Sequence, residues 1–91
     1  MKIRWARSAT RHRIKRSRSQ CVIEHCGLIF YVAPPANDQD ERLLFLGDDD
    51  SGIALEVMAV ELESGDLYVI HAMPLRDRYR AEYEEAKRWH G

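Results

Sequence analysis

The chain has no long apolar run, little cysteine and, in residues 1–20, no acidic side chain. Without about 18 consecutive apolar residues, no segment is long enough to form a membrane-spanning helix. The basic opening of the chain is followed by no apolar stretch, so we expect no secretory signal peptide and a cytoplasmic protein. The two cysteines are then expected to remain thiols, because disulfides are rare in reducing compartments.

The charge is distributed unevenly, although the net charge is only −1. Residues 1–20 contain eight basic side chains, whereas the rest of the chain holds the other six and all 15 acidic ones, which leaves it at −9. Such asymmetry is typical of a segment that contacts nucleic acid or another anionic surface. The alternative is a solvated arm that the acidic remainder partly neutralises within the same molecule.

Three helices are predicted. Two lie near the N-terminus, over residues 6–16 and 18–26, and the second follows a Ser-x-x-Gln capping box at residues 17–20. Gly27 is expected to stop this second helix. The third spans residues 77–89, because Tyr79, Tyr83 and Ala86 share one of its faces.

Four strands are predicted from β-forming runs at residues 28–32, 42–47, 53–62 and 67–73, with a loop over 33–40. Short turns make the last three an antiparallel meander. Residues 1–5 could add a short extended piece, because apolar and charged residues alternate there. We therefore expect a single α+β domain over residues 1–91: two N-terminal helices, a four-stranded mainly antiparallel sheet and a C-terminal helix.

Two clusters contain metal-ligand residue types but lack the spacing of a metal site. The triple-aspartate turn at residues 48–50 does not follow the calcium-loop pattern, which needs spaced carboxylates and a glutamate at the twelfth position. Cys21 and His25 share a helical face, whereas Cys26 lies about 140° away around the helix axis. We therefore predict a plain turn and free thiols, with no metal and no cofactor.

Basic residues of the N-terminal segment recur every three or four positions, with Trp5 among them. On a helix this spacing aligns them on one side, and arginine both binds phosphate in a planar fork and stacks on bases. The pattern is typical of phosphate-backbone binding, but it does not distinguish RNA, DNA and an acidic protein. The aligned residues are Arg4, Arg7, Arg11, Lys15 and Arg18.

His71 lies in the last predicted strand, where strict alternation puts it on the same face as Leu67, Val69 and Met73. A semi-buried structural histidine is one interpretation. However, the strand ends at Pro74, and several arginines and a tyrosine follow at once. A neutral-range imidazole suits proton transfer, and arginine suits stabilisation of charge developing on phosphorus. The candidate catalytic residues are His71, Arg76, Arg78 and Tyr79.

Several segments, taken in order, carry a family resemblance. They are residues 3–5 before a basic helix, a short second helix, residues 41–47 before a hairpin, and residues 67–73 running into a helix with two tyrosines. Together they resemble the BrnT-like toxins of bacterial type II toxin–antitoxin modules, which are relatives of the RelE-type ribonucleases. The resemblance covers most of the chain and rests on order and pattern. It implies a toxin that cleaves RNA and stops translation, and a cognate antitoxin that covers it and binds operator DNA.

The resemblance carries over residue by residue at Trp5, Arg42 and Gly47. The family's last strand ends in Ser-Ala-Arg, where this chain has a methionine at position 73, and the family's Lys-His-Gly is replaced at residues 15–17. The hypothesis is attack by the RNA 2′-hydroxyl without a metal, with His71 as general base or acid. Arg76 and Arg78 would neutralise the phosphorane, and Tyr79 or Tyr83 would donate a proton or stack on a base. The RNA-binding candidates are Arg4, Trp5, Arg11, Lys15, Arg42 and Tyr83.

Two alternatives remain at this point: a non-catalytic module that binds nucleic acid or an antitoxin, and an interaction protein without nucleic acid. The expected partners are RNA and an antitoxin, with no membrane. A homodimer and a toxin–antitoxin hetero-oligomer are both open. The nucleic-acid hypothesis requires that the basic N-terminal helix and the arginines after the last strand form one continuous surface.

Overall fold

The computed structural model describes residues 2–26, 28–33 and 41–90, with side chains in the last helix up to Arg88. Gly27 and most of the predicted loop lie outside the described residues. The strands are β1 (Ile3–Trp5), β2 (Ile29–Val32), β3 (Arg42–Asp48), β4 (Ala54–Glu61) and β5 (Leu67–Pro74). The helices are α1 (Arg16–His25), α2 (Arg80–His90) and two short 3-10 helices, Arg7–Thr10 and Asp77–Tyr79. No helix of the described ranges is long and apolar enough to cross a membrane.

The five strands form one mixed sheet in the order β1-β5-β4-β3-β2. The predicted antiparallel meander is confirmed, since β3, β4 and β5 pair in sequence with short turns between them. The predicted four-stranded sheet is wrong, because β1 adds a fifth strand that pairs in parallel with β5, with Ile3 opposite Leu67. Local alternation indicates that a segment is extended, but it carries no information about a partner at the other end of the chain.

The α+β class is confirmed, but the prediction of two N-terminal α-helices is wrong. Residues 6–16 form one 3-10 turn and a bend, and α1 is the first α-helix of the described chain. Like charges three or four residues apart repel one another along an α-helix, and Arg13 adopts a left-handed conformation (φ 62°) that interrupts a right-handed one. The predicted capping box is also wrong, because the N-cap is Lys15 and no side chain caps the helix.

One face of the sheet, the closed face, is covered by α1 and the first 3-10 helix. Alternate residues of the central strands point into this layer, as expected for a half-buried sheet. The cluster is apolar throughout: Ala9, Ile14, Val22, Ile23, Phe45, Leu55, Val57, Ala59, Leu67, Val69 and Ala72.

The opposite face, the cleft face, is covered only in part. Helix α2 packs on β3, where Tyr83 forms a smaller buried cluster with Leu44 and Leu46. The predicted inner face of the last helix is confirmed at Tyr83 and Ala86, both of which are buried. Beyond this contact, residues of β4 and β5 border an open cleft.

Candidate active site

The cleft has a volume of about 630 Å³, which is in the range of small-molecule and nucleotide sites. Its wall combines residues from the N-terminal segment, three strands and the second 3-10 helix. The lining residues are Ser8, Arg11, Arg42, Met58, Ile70, His71, Arg76, Arg78 and Tyr79. All four candidate catalytic residues therefore meet in one place, together with two of the predicted RNA-binding arginines.

A bulge in β5 decides which face carries His71. Val69 lies opposite Ala59 and His71 lies opposite Met58, so Ile70 is an extra residue in the register. A bulge of this kind reverses the alternation of side chains along a strand. The prediction that His71 and Val69 share a face is therefore wrong: Val69 belongs to the closed face, whereas His71 lines the cleft.

The bulge is held by the N-terminal segment. The Ser8 hydroxyl donates a hydrogen bond of 2.6 Å to the carbonyl oxygen of Ile70, and the backbone N–H of Ala6 donates to the carbonyl of Val69 at 2.8 Å. A carbonyl displaced from a ladder needs such a donor, because an unpaired buried polar group is costly. The first 3-10 helix therefore stabilises the strand geometry that exposes His71.

His71 is bonded to a buried carboxylate that the sequence argument missed. Its Nε2 lies 2.9 Å from Oε1 of Glu56, and Glu56 is fully buried. The two residues are diagonal neighbours on adjacent strands, within reach of long side chains. A carboxylate only accepts hydrogen bonds, so Nε2 of His71 must be the protonated nitrogen and Nδ1 carries the lone pair of the neutral ring.

Glu56 is also the anchor of Arg76. The Arg76 backbone N–H donates to Oε2 at 2.9 Å, and its Nε and terminal nitrogen lie 2.8 and 2.6 Å from Oε1. Burial alone would raise the pKa of Glu56, but hydrogen bonds from Arg76 and His71 outweigh it and hold the pKa below its ordinary value. The carboxylate is thus ionised at neutral pH. The available signal was a single acidic residue between Leu55 and Val57 in a strand predicted to be central.

Tyr79 lies between two guanidinium groups at the edge of the cleft. Arg78 is centred 5.0 Å and Arg76 5.8 Å from the centroid of its ring, within the range of cation–π contact. The second 3-10 helix begins just after the end of β5, which explains why these side chains return to the cleft. The site is rich in fixed positive charge beside a histidine and an aromatic ring.

The remaining RNA-binding candidates lie elsewhere in contacts of their own. Arg4 is 3.6 Å from Asp66, and Lys15 is exposed at the start of α1. Trp5 donates from Nε1 to Ser19 at 3.0 Å. Tyr83 is 6 % exposed. The Tyr83 hydroxyl donates to Asp48 at 2.5 Å, so its role is to dock α2 on β3.

The basic N-terminal segment thus meets the cleft at Arg11 rather than along a continuous helical stripe. Arg18, predicted to lie on that stripe, instead binds Asp49 at 2.7 Å. The surface required by the nucleic-acid hypothesis is formed in part, and other cations of the segment are neutralised by acids of the same chain.

The triple-aspartate turn is organised by hydrogen bonds within the protein. Asp49 accepts from the backbone N–H groups of Ser51 and Ile53 at 2.9 Å. The backbone bond from Ile53 is the main reason that the pKa of Asp49 is lowered, despite the opposing effect of burial. In the described ranges, no three histidine, cysteine or acidic side chains are grouped so as to hold a metal ion.

No family model, curated protein or solved structure matches this chain. Function must therefore be argued from the chemistry of the cleft, because a fold class alone is compatible with many activities.

Proposed function

We propose that the protein is an endoribonuclease that cleaves RNA in this cleft by attack of the 2′-hydroxyl on the adjacent phosphorus. The observation that carries the proposal is the His71–Glu56 pair beside four arginines in an open cleft. The nucleophile belongs to the substrate, so the reaction needs only proton transfer, positioning and charge stabilisation from the protein.

The arginines supply the phosphate-binding surface. Arg11 and Arg78 are exposed, while Arg76 is fixed by Glu56 and still presents 40 % of its side chain to solvent. A guanidinium group held in place needs little reorganisation when negative charge develops on phosphorus. Tyr79, flanked by two of these groups, offers a ring on which a base can stack.

His71 acts as the general base in this proposal. Its Nε2–H is committed to Glu56, which leaves the Nδ1 lone pair to accept the proton of the 2′-hydroxyl. Glu56 is a positioning residue that holds the ring and its tautomer and stabilises the imidazolium formed, as a carboxylate does for histidine in other hydrolytic sites.

The resemblance to BrnT-like toxins extends the proposal to a biological role. The protein would be the toxin of a type II toxin–antitoxin module, its RNA cleavage would inhibit translation, and its cognate antitoxin would cover the cleft. An antitoxin with acidic side chains would match the arginines of the lining.

The test is cleavage of a labelled single-stranded RNA by the purified protein with a chelator present. We expect products that end in a 2′,3′-cyclic phosphate, and none from a substrate with a 2′-deoxynucleotide at the cleavage site. His71→Ala should lower the rate by about 10²–10⁴-fold, whereas the matched variant His25→Ala, at the exposed end of α1, should not change it.

Binding without cleavage would contradict the enzymatic proposal and favour the non-catalytic module. In that case the logarithm of affinity would still fall with the logarithm of salt concentration, and Arg11→Ala would reduce the slope by about 0.7 for one lost single-strand phosphate contact. Salt-independent or absent binding would contradict both.

A further inference from the structure

We propose that His12 is the general acid of the cleavage reaction and delivers a proton to the departing 5′-oxygen. This inference rests on the proposed function and adds a second catalytic histidine to it. The ring centroids of His12 and His71 are 5.9 Å apart, with the ring planes at 72°. Two imidazoles from distant parts of the chain therefore lie in edge-to-face contact beside a cleft rich in arginine.

The backbone holds His12 in this place. The preceding 3-10 helix is tied to β5 through Ser8, and its Ala9 is buried in the closed-face cluster. The turn then closes through a hydrogen bond of 3.1 Å from the N–H of Arg13 to the carbonyl of Thr10. Arg13 takes up the left-handed conformation that completes the turn, an arrangement that non-glycine residues adopt at a cost and that is common next to functional sites.

The neighbours of His12 point to the same substrate group. Arg11, the residue before it, lines the cleft, so a phosphate bound by Arg11 lies next to the His12 ring. Among the cleft residues, Tyr79 is the other proton donor considered from the sequence. An imidazolium is a stronger acid than a phenol by about three to four orders of magnitude, so a histidine is better suited to protonate an alkoxide near neutral pH.

The step balances as an in-line displacement. The 2′-oxygen forms a bond to phosphorus while its proton passes to Nδ1 of His71. The bond from phosphorus to the 5′-oxygen breaks, and that oxygen takes a proton from the His12 imidazolium. The products are a 2′,3′-cyclic phosphate and a free 5′-hydroxyl. His71 is left protonated and His12 neutral, and exchange with water restores both.

The test compares two substrates of the same sequence, ordinary RNA and RNA with sulfur in place of the bridging 5′-oxygen at the cleavage site. A thiolate leaves without being protonated, so it does not need a general acid. We expect His12→Ala to cleave ordinary RNA about 10²–10⁴-fold more slowly than the native protein, and to cleave the sulfur-bridged substrate at close to the native rate. His71→Ala should be slow on both substrates, because the base is needed in either case.

The controls separate a catalytic from a structural effect. His12 is exposed, so thermal unfolding of His12→Ala should match that of the native protein, and His12→Gln should show the same substrate dependence. His25→Ala should match the native protein on both substrates. Recovery on the sulfur-bridged substrate by Tyr79→Phe in place of His12→Ala would overturn the assignment.

Two further results would count against it in different ways. Equal rate losses for His12→Ala on both substrates, or no loss on either, would overturn the role of His12 and leave the proposed ribonuclease standing. If the native protein cleaves neither substrate, the proposed function and this inference both fail.

Discussion

The two faces of the sheet are built on opposite principles. On the closed face, Leu55 and Val57 of β4 pack into a continuous apolar layer. On the cleft face, the residue between them, Glu56, is equally buried but charged, and its neighbours include Met58 and His71. One strand thus supplies a hydrophobic core through one side and a polar site through the other.

The difference shows where the protein sacrifices stability. Burying a carboxylate is costly unless hydrogen bonds and opposite charge compensate for it, and an apolar residue of similar size is often at least as stabilising. Glu56 is compensated by Arg76 and His71. We infer that its presence serves to orient those two side chains rather than to strengthen the fold.

The largest expected effect is on the closed face. Leu55→Ala removes a fully buried side chain and should lower the free energy of unfolding by about 2–5 kcal/mol. Met58→Ala, at a half-buried position on the cleft face, should cost clearly less. The measurement is urea unfolding followed by circular dichroism. Equal losses would mean that the cleft face is packed as tightly as the closed face.

A smaller effect is expected at the buried carboxylate. Glu56→Gln should cost about 2 kcal/mol at pH 7, because Arg76 loses a charge-assisted partner. The pKa of Glu56 is lowered from its ordinary value of 4.5, so the unfolded chain takes up the proton first as the pH falls. The stability due to ionised Glu56 is therefore complete above pH 4.5 and is lost as the pH falls through the lower pKa of the folded state.

Thermal unfolding between neutral pH and pH 3 checks this sign. The gap between the native protein and Glu56→Gln should narrow as the pH falls through that window. Glu84→Gln, at an exposed position on α2, should follow the native curve throughout. A gap independent of pH would indicate that the loss comes from packing and not from the charge.

The next effect concerns the bulge that separates the two faces. Ser8→Ala removes the donor to Ile70 and should lower the free energy of unfolding by about 1 kcal/mol. It should also slow RNA cleavage, because His71 loses part of its support. Ser17→Ala, at an exposed position in α1, is the matched control and should change neither quantity. A Ser8→Ala variant with native stability and cleavage would mean that the bulge holds itself.

The smallest effect has the opposite sign. Arg13→Gly relieves a left-handed conformation at a non-glycine residue, and should raise the free energy of unfolding by about 0.5 kcal/mol after the greater flexibility of unfolded glycine is subtracted. Arg13→Ala, which removes the charge but keeps the strain, should give no such gain. Calorimetry can resolve the pair, and equal melting temperatures would remove the argument for strain at this turn.

Local patterns predicted the strands well and the N-terminal helix badly. Strands β3, β4 and β5 follow from runs of β-forming residues between turns that contain glycine and aspartate, and the turn glycines Gly52 and Gly65 do have positive φ. The basic segment has a helical spacing of arginines but few apolar residues to hold a helix against the sheet. Ala9 and Ile14 were assigned to the inner side and are buried, but a 3-10 turn and a bend bring them there.

The candidate site was predicted in its residues but not in its connections. His71, Arg76, Arg78 and Tyr79 line one cleft, as their closeness in sequence suggested. Glu56 and His12 were missed as members of the site, because each contacts His71 across a long stretch of chain.

The amino-acid sequence by itself determined the strands and their turns, the separation of basic from acidic segments, and the grouping of a histidine with arginines after the last strand. These properties depend on neighbouring residues and on simple periodicity. Only the tertiary structure decided that β1 joins the sheet, that the bulge at Ile70 turns His71 to the cleft, and that Glu56 and His12 meet it there. The physical reason is that these outcomes are set by hydrogen bonds and packing between distant segments, and a one-residue shift in register reverses the face of every side chain that follows.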